Sequence, residues 1–157
     1  MSKNEATTNK VSRIAIKKKN WYTILAPVQF GKRELGETYL VSPESAIGRT
    51  IKSNLRDLTG NARDQNIYLA FKIKESNGRV LNTDLIGYSL TTTSVKRLVR
   101  PNTDRLDDYF TFTCKDGNKV VVKTLIITLH KVQRSVSAKL REYVKEYLRT
   151  EIESNDF

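Results

Sequence analysis

The chain has few of the side chains that carry chemistry. Among 157 residues there is one cysteine, Cys114, and one histidine, His130. A single thiol makes no internal disulfide, which agrees with a reducing compartment. One His and one Cys also fall short of the several converging ligands a zinc site needs. The two could in principle pair as base and nucleophile. Cys114, however, keeps step with Phe110 and Phe112 along an alternating segment, which is how a small core hydrophobe behaves. His130 ends a strand beside Lys131, where phosphate or plain solvent is the expected neighbour. A P-loop, a glycine-rich dinucleotide fingerprint and a nucleophile elbow are all absent. No catalytic residue, cofactor or metal site is therefore assigned, and the chain is not expected to be an enzyme. One acidic cluster, Asp104, Asp107 and Asp108, could hold a hydrated magnesium ion or simply form a solvated turn.

Long apolar runs are missing as well. Stretches such as Leu125-Ile126-Ile127 are far below the roughly 20 residues that span a bilayer, and no apolar segment follows the first lysines as a secretory signal would require. A transit peptide is disfavoured by Glu5 and by the few arginines near the N-terminus. The expectation is a cytoplasmic chain with neither a membrane nor a small-molecule substrate as partner. Acids are scarce too: 17 Asp and Glu stand against 28 Lys and Arg, a formal charge of +11. Such an excess repels itself unless a polyanion is near, and nucleic acid is the leading candidate. Hydrophobic residues make up 38%, which predicts a thin core, and the length fits one domain with appendages.

What is present is ordered along the chain. Residues 1–19 hold Lys3, Lys10, Arg13, Lys17, Lys18 and Lys19 against the single acid Glu5. They have little to bury, and are expected to form a flexible basic arm. Residues 20–133 show the signals of a β domain. A strand is expected from Trp21 to Leu25, limited by Pro27, and others around Thr38 to Val41 and Ile51 to Leu58. The clearest has Ile67, Leu69, Phe71 and Ile73 at every second position. Asn77-Gly78 then closes a tight hairpin into Val80 to Tyr88. A second hairpin is marked by Asp116-Gly117, with Phe110, Phe112 and Cys114 on one strand face and Val121, Leu125, Ile127 and Leu129 sharing a side of the next strand. About six mostly antiparallel strands predict a small barrel, closed or nearly so, within a mainly β (α+β) fold.

Two helices interrupt and end it. Ser94 caps a short one with a Val95, Leu98, Val99 stripe, stopped by Pro101, whose other face carries Lys96, Arg97 and Arg100. Residues 134–157 form a C-terminal amphipathic helix. At about 100° per residue, Val136, Leu140, Tyr143, Val144 and Tyr147 make an apolar seam, while Arg134, Arg141, Lys145 and Arg149 cluster on another side.

The segment joining arm to body is the most informative. Lys17, Lys18 and Lys19 lead directly to Trp21, the only tryptophan. Phosphate-seeking charge beside a large flat ring suits an RNA backbone plus base stacking, although packing into a core is the more frequent use of such a ring. The lysine run, Trp21-Tyr22, Ala26-Pro27 and Phe30 resemble the opening of the S three Ae family (also called S one e), small-subunit ribosomal proteins of archaea and eukaryotes. Further likenesses follow in order: Gly48-Arg49; Leu55, Asp57 and Leu58; Phe71-Lys72; Leu90-Thr91; Asp116-Gly117; and a tail from Arg134 with Leu140, Arg141 and Ile152. They span residues 17–157. Family members are expected to continue for some tens of residues past the position of Phe157.

The resemblance implies a structural constituent of the small ribosomal subunit. It would bind rRNA electrostatically on the platform near the mRNA exit and the 3′ end of the rRNA, beside neighbouring ribosomal proteins, with mRNA and initiation factors close by. The expected RNA-contacting residues are Lys17, Lys18, Lys19, Trp21, Arg33, Arg49, Lys96, Arg97, Arg100, Arg134, Arg141, Lys145 and Arg149. Of these, Lys17 to Trp21 and Arg49 match the family best. The alternative is a free-standing single-strand RNA-binding regulator that stacks bases on barrel-face tyrosines, with Tyr68, Tyr88 and Tyr109 as candidates.

Overall fold

The computed structural model describes residues 18–154. Residues 1–17 of the expected arm, Lys17 among them, and the last three residues of the expected terminal helix lie outside the described residues. The chain divides into two compact units, one ending at Leu90 and one beginning at Thr91.

The first unit is a five-stranded sheet built from β1 (Asn20–Leu25), β2 (Glu34–Leu40), β3 (Thr50–Asn54), β4 (Ile67–Asn77) and β5 (Val80–Leu90), in the order β2-β1-β5-β4-β3. Alternation decides which residues enter its core. Tyr22, Ile24, Leu40, Ile73 and Leu81 are buried with Ala46, and Leu69 and Phe71 are buried with Ala26 and Leu58. Leu35 packs against both groups, and the Phe30 ring meets Phe71 edge-on at 5.8 Å. The predicted period-2 strand is therefore β4. Its hairpin to β5 pairs Asn77 with Val80, leaving Gly78 and Arg79 as a two-residue loop in which Gly78 takes a φ of 62° that a Cβ would disfavour.

Two expectations are corrected in this unit, barrel closure and the reach of one strand. The sheet is not closed into a barrel: β2 and β3 are its edges, and they flank a groove of about 290 Å³ lined in part by Leu35, Gly36, Arg49 and Ile51. Its pairs are mostly antiparallel, as expected, the exception being β1, which runs parallel to β5 through Thr23, Ile24 and Leu25. The buried Thr83 hydroxyl supports that join by donating to the Leu25 carbonyl at 2.8 Å. Finally, the strand expected to run to Leu58 stops at Asn54. There the Asn54 side chain accepts from the Arg56 N–H at 2.9 Å and caps α1 (Leu55–Thr59).

The second unit contains α2 (Thr92–Leu98), the antiparallel hairpin β6 (Arg105–Thr113) and β7 (Lys119–Ile127), and α3 (Arg134–Ser154). The hairpin expected to belong to the barrel is thus a two-stranded sheet of its own. The cap of α2 is Thr91 rather than Ser94, and its hydroxyl accepts from the Ser94 N–H at 3.2 Å. Leu106, Phe112 and Cys114 are buried, as the β6 alternation predicts. On β7 the phase is the opposite of the expected one. The register sets Val120 opposite Phe112, Val122 opposite Phe110 and Ile126 opposite Leu106, so these even-numbered residues share the covered face. Val121 is 51% exposed, and Leu129 is exposed beyond the strand end. The turn decides this, because the Gly117 N–H closes on the Cys114 carbonyl at 2.9 Å and fixes Thr113 opposite Lys119.

Helix α3 packs on β6. Its half-buried side chains include Leu140, Val144, Leu148 and Ile152, whereas Val136, Tyr143 and Tyr147 are exposed. The expected seam is therefore rotated toward the aliphatic side. Leu140 and Val144 belong to either choice, and the all-aliphatic edge can lie against the hairpin without burying a tyrosine hydroxyl.

Candidate nucleic-acid interface

On β1 the side chains alternate, with Tyr22 and Ile24 buried, so the neighbouring Trp21 is turned to the other face of the sheet. The packing role is not the one it takes: Trp21 is 60% exposed. Antiparallel pairing sets Tyr39 of β2 directly opposite. The two rings lie 5.0 Å apart between centroids at an interplanar angle of 39°, and Tyr39 is itself 49% exposed. The Lys19 ammonium stands 5.8 Å from the Tyr39 ring centre, within cation–π range, and Lys18 is exposed beside it. The outcome is an aromatic pair on a sheet face with cations at one end.

The sequence signals Trp21 and the lysines but not Tyr39. The missing information is the β1 to β2 register, although the burial of Leu40 beside an outward Tyr39 is a local alternation that would have supported it.

The remaining first-unit candidates lie elsewhere on the surface. Arg33 is exposed in the β1 to β2 connection, where its carbonyl accepts from the Ala26 N–H at 2.8 Å. Arg49 is exposed before β3, and its backbone carbonyl accepts from Ile73 at 3.0 Å. Gly48 serves the turn: it has a φ of 85°, and its N–H is already given to the Ile73 carbonyl at 2.9 Å.

In the second unit Lys96 and Arg97 are exposed in the last turn of α2, and Arg100 is exposed just past its end. On α3 the basic stripe divides by use. Arg134 and Lys145 are exposed and form no ion pair among the described residues. Arg141 instead bonds Asp108 of β6 at 3.1 Å, and Arg149 bonds Glu153 one turn on at 2.9 Å.

Those pairings also bear on the acidic cluster. Asp104 accepts from the Val132 N–H at 2.8 Å, Asp107 pairs with Arg105 at 2.8 Å and Asp108 pairs with Arg141. Asp107 and Asp108 are strand neighbours pointing to opposite faces, so the three carboxylates do not converge. Cys114 is buried and His130 exposed, and no group of potential metal ligands occurs among the described residues.

The tyrosines of the alternative reading do not form one platform. Tyr68 lies opposite Ser89, and Tyr88 opposite Leu69, which puts them on opposite faces of the first sheet, while Tyr109 belongs to the second unit. A flatter basic patch was not foreseen. On the outer face, Lys52 lies opposite Ala70 and Ala70 opposite Gly87, with Tyr68 and Lys72 on either side of Ala70 along β4.

Comparison with known proteins gives these surfaces a family. The profile described as the Ribosomal S3Ae family matches residues 7–157. A protein of Methanobrevibacter smithii named small ribosomal subunit protein eS1 is 35% identical over 132 residues, covering 84% of this chain and 68% of its own length. The protein of that name from Methanothermobacter thermautotrophicus is 34% identical over 133 residues, 85% of this chain and 68% of its own. A third, from Saccharolobus islandicus, is 35% identical over 130 residues, 83% of this chain and 62% of its own. The chain thus covers about two thirds of the length of these relatives. The match runs through both units, and with it the resemblance drawn from the lysine run, Trp21-Tyr22 and the later landmarks is established: the chain belongs to the Ribosomal S3Ae family, a family of structural ribosomal proteins rather than enzymes.

Proposed function

We propose that the protein is a structural constituent of the small ribosomal subunit and holds rRNA by neutralising phosphates with exposed Lys and Arg. The observation that carries this is the family match across both units, and the charge of +11 supplies the physical means. Each neutralised phosphate releases condensed counterions, so affinity falls steeply with salt. Selection among RNAs comes from folded shape more than from base sequence.

The contact set is Lys17, Lys18, Lys19, Trp21, Arg33, Arg49, Lys96, Arg97, Arg100, Arg134, Lys145 and Arg149, with Arg141 shared between RNA and Asp108. Family resemblance supports a finer position in cytoplasmic ribosomes, on the platform by the mRNA exit and the rRNA 3′ end, next to other small-subunit proteins and within reach of mRNA and initiation factors. A free-standing regulator that stacks bases along the sheet is less well supported, because its three tyrosines are divided between faces and units.

The test is sedimentation of the tagged protein from lysate through sucrose gradients at moderate and high salt. Migration with the small subunit in both is expected. Retention at the top of the gradient would overturn the ribosomal assignment.

A further inference from the structure

We propose that the exposed Trp21–Tyr39 pair is a stacking site for one unpaired RNA base, with Lys18 and Lys19 meeting the adjoining phosphate. This rests on the RNA-binding reading above and adds to it a nucleotide-sized contact that phosphate neutralisation alone does not require.

Four observations converge. First, two adjacent aromatics on a strand must face opposite ways, and the chain buries Tyr22 while leaving the larger and less polar Trp21 outside. Second, the exposed ring is fixed rather than free, since the 5.0 Å contact with Tyr39 holds both rings on the sheet; a preorganised platform loses less freedom when a base is added. Third, with exposures of 60% and 49%, both rings keep surface open to a third ring. Fourth, charge is graded along this face. Lys18 and Lys19 lie at the Trp21–Tyr39 end, while the acid Glu37 sits two residues along β2, opposite Thr23. A base on the pair is therefore oriented with its phosphate toward the lysines and away from Glu37. A duplex offers phosphates to the same lysines but keeps its base faces stacked within itself, so only an unpaired nucleotide uses the whole site.

Trp21 is the only tryptophan in the chain, so its fluorescence reports this site alone. The full chain is titrated with a ten-nucleotide single-stranded oligoadenylate and with a ten-base-pair RNA duplex, and binding is followed independently by anisotropy of labelled RNA. The expected result is saturable quenching of Trp21 by the single strand, and binding of the duplex without comparable quenching. Tyr39→Ala should weaken single-strand binding by about fivefold to about 150-fold and leave duplex binding unchanged. Trp21→Phe, which keeps a ring, should retain most of the single-strand affinity.

Binding of the single strand with no quenching, or equal quenching by the duplex, overturns the stacking site. So does quenching on addition of RNA-free small-subunit proteins with none on addition of RNA, which would assign the pair to a protein neighbour. If the wild-type chain still sediments with the small subunit in any of these cases, the ribosomal reading survives and only the stacking site is lost. If it neither sediments with the subunit nor binds either RNA, the wider reading fails.

Discussion

Removing the Arg141 guanidinium should destabilise the second unit more than it weakens RNA binding. Its Nε lies 3.1 Å from Asp108 Oδ1, and the Asp108 side chain is 16% exposed against 48% for Arg141. The other carboxylate oxygen, Oδ2, is buried without a hydrogen-bond partner, as is the hydroxyl of Thr124 directly across the hairpin. Arg141→Met keeps the aliphatic stem and leaves a mostly buried carboxylate facing α3 with no cation. Breaking a fully buried pair costs about 3–5 kcal/mol, whereas an exposed one is worth about 0–1 kcal/mol. Solvent screens the arginine end here, so the expected cost is about 2 kcal/mol. Asp108→Asn removes the charge that Arg141 answers, so the double variant should be less destabilised than the sum of the singles, with a coupling of about 1–2 kcal/mol.

The assay is chemical denaturation of the full chain followed by helical circular dichroism, since α3 is 21 residues long against five and seven for α1 and α2. In parallel, the dependence of RNA affinity on salt is measured for Arg141→Met and Lys145→Ala. The lysine variant should lose about 0.9 from the salt slope on a duplex, and the arginine variant much less. Additive single effects, or a full loss of slope from Arg141→Met with stability unchanged, would refute the reasoning.

The other predictions concern the first sheet, the arm and the thiol. Phe71 is fully buried, so Phe71→Ala should cost about 3–5 kcal/mol, measured by the denaturation midpoint; a loss below about 1 kcal/mol would mean the site collapses freely. Replacing Lys17, Lys18 and Lys19 together by Ala should weaken RNA binding and lower the single-strand salt slope by about 0.7 per lost phosphate contact, with the thermal transition unchanged. An unchanged slope would remove these lysines from the interface. Cys114→Ser places a hydroxyl where the thiol is buried, at a cost of about 1–3 kcal/mol. The folded variant should bind RNA and enter the subunit normally, and failure to do so while folded would point to a chemical role for the thiol.

What could be read from the sequence follows the range of the interactions involved. Strand β4 was legible because only one parity of Ile67 to Ile73 is consistently apolar, and Asn77-Gly78 prescribes the turn within two residues. Strand β7 was not, because Val120, Val121 and Val122 are apolar at both parities and the phase is set by the turn before them. The α3 seam failed for a related reason: Leu140 and Val144 are shared by a tyrosine-containing stripe and an aliphatic one, and only the hairpin beneath selects between them. Barrel closure was further still from local reach. It would require the edges β2 and β3, consecutive along the chain but at opposite ends of the strand order, to exchange hydrogen bonds, and here a groove lies between them.

The candidate site shows the same limit from the other side, because half of it was within reach. Tyr22 and Ile24 share one strand face and Trp21 and Thr23 the other, so only one of the two aromatics can enter the core, and Ile24 indicates which. An aromatic side chain buries roughly 150–250 Å², and at about 25 cal/mol per Å² an outward Trp forgoes on the order of 2–4 kcal/mol. The contact with Tyr39 recovers part of that. Sliding β1 by one residue would bury Trp21 but expose Tyr22 and Ile24 together, a worse exchange. The outward tryptophan is therefore a consequence of the strand's own pattern, and the exposed area it leaves is what makes a further ring on that face favourable. A charge count leaves the proposed RNA contacts anywhere on this surface; the alternation of four residues beside three lysines is what gives the proposed stacking site a definite place.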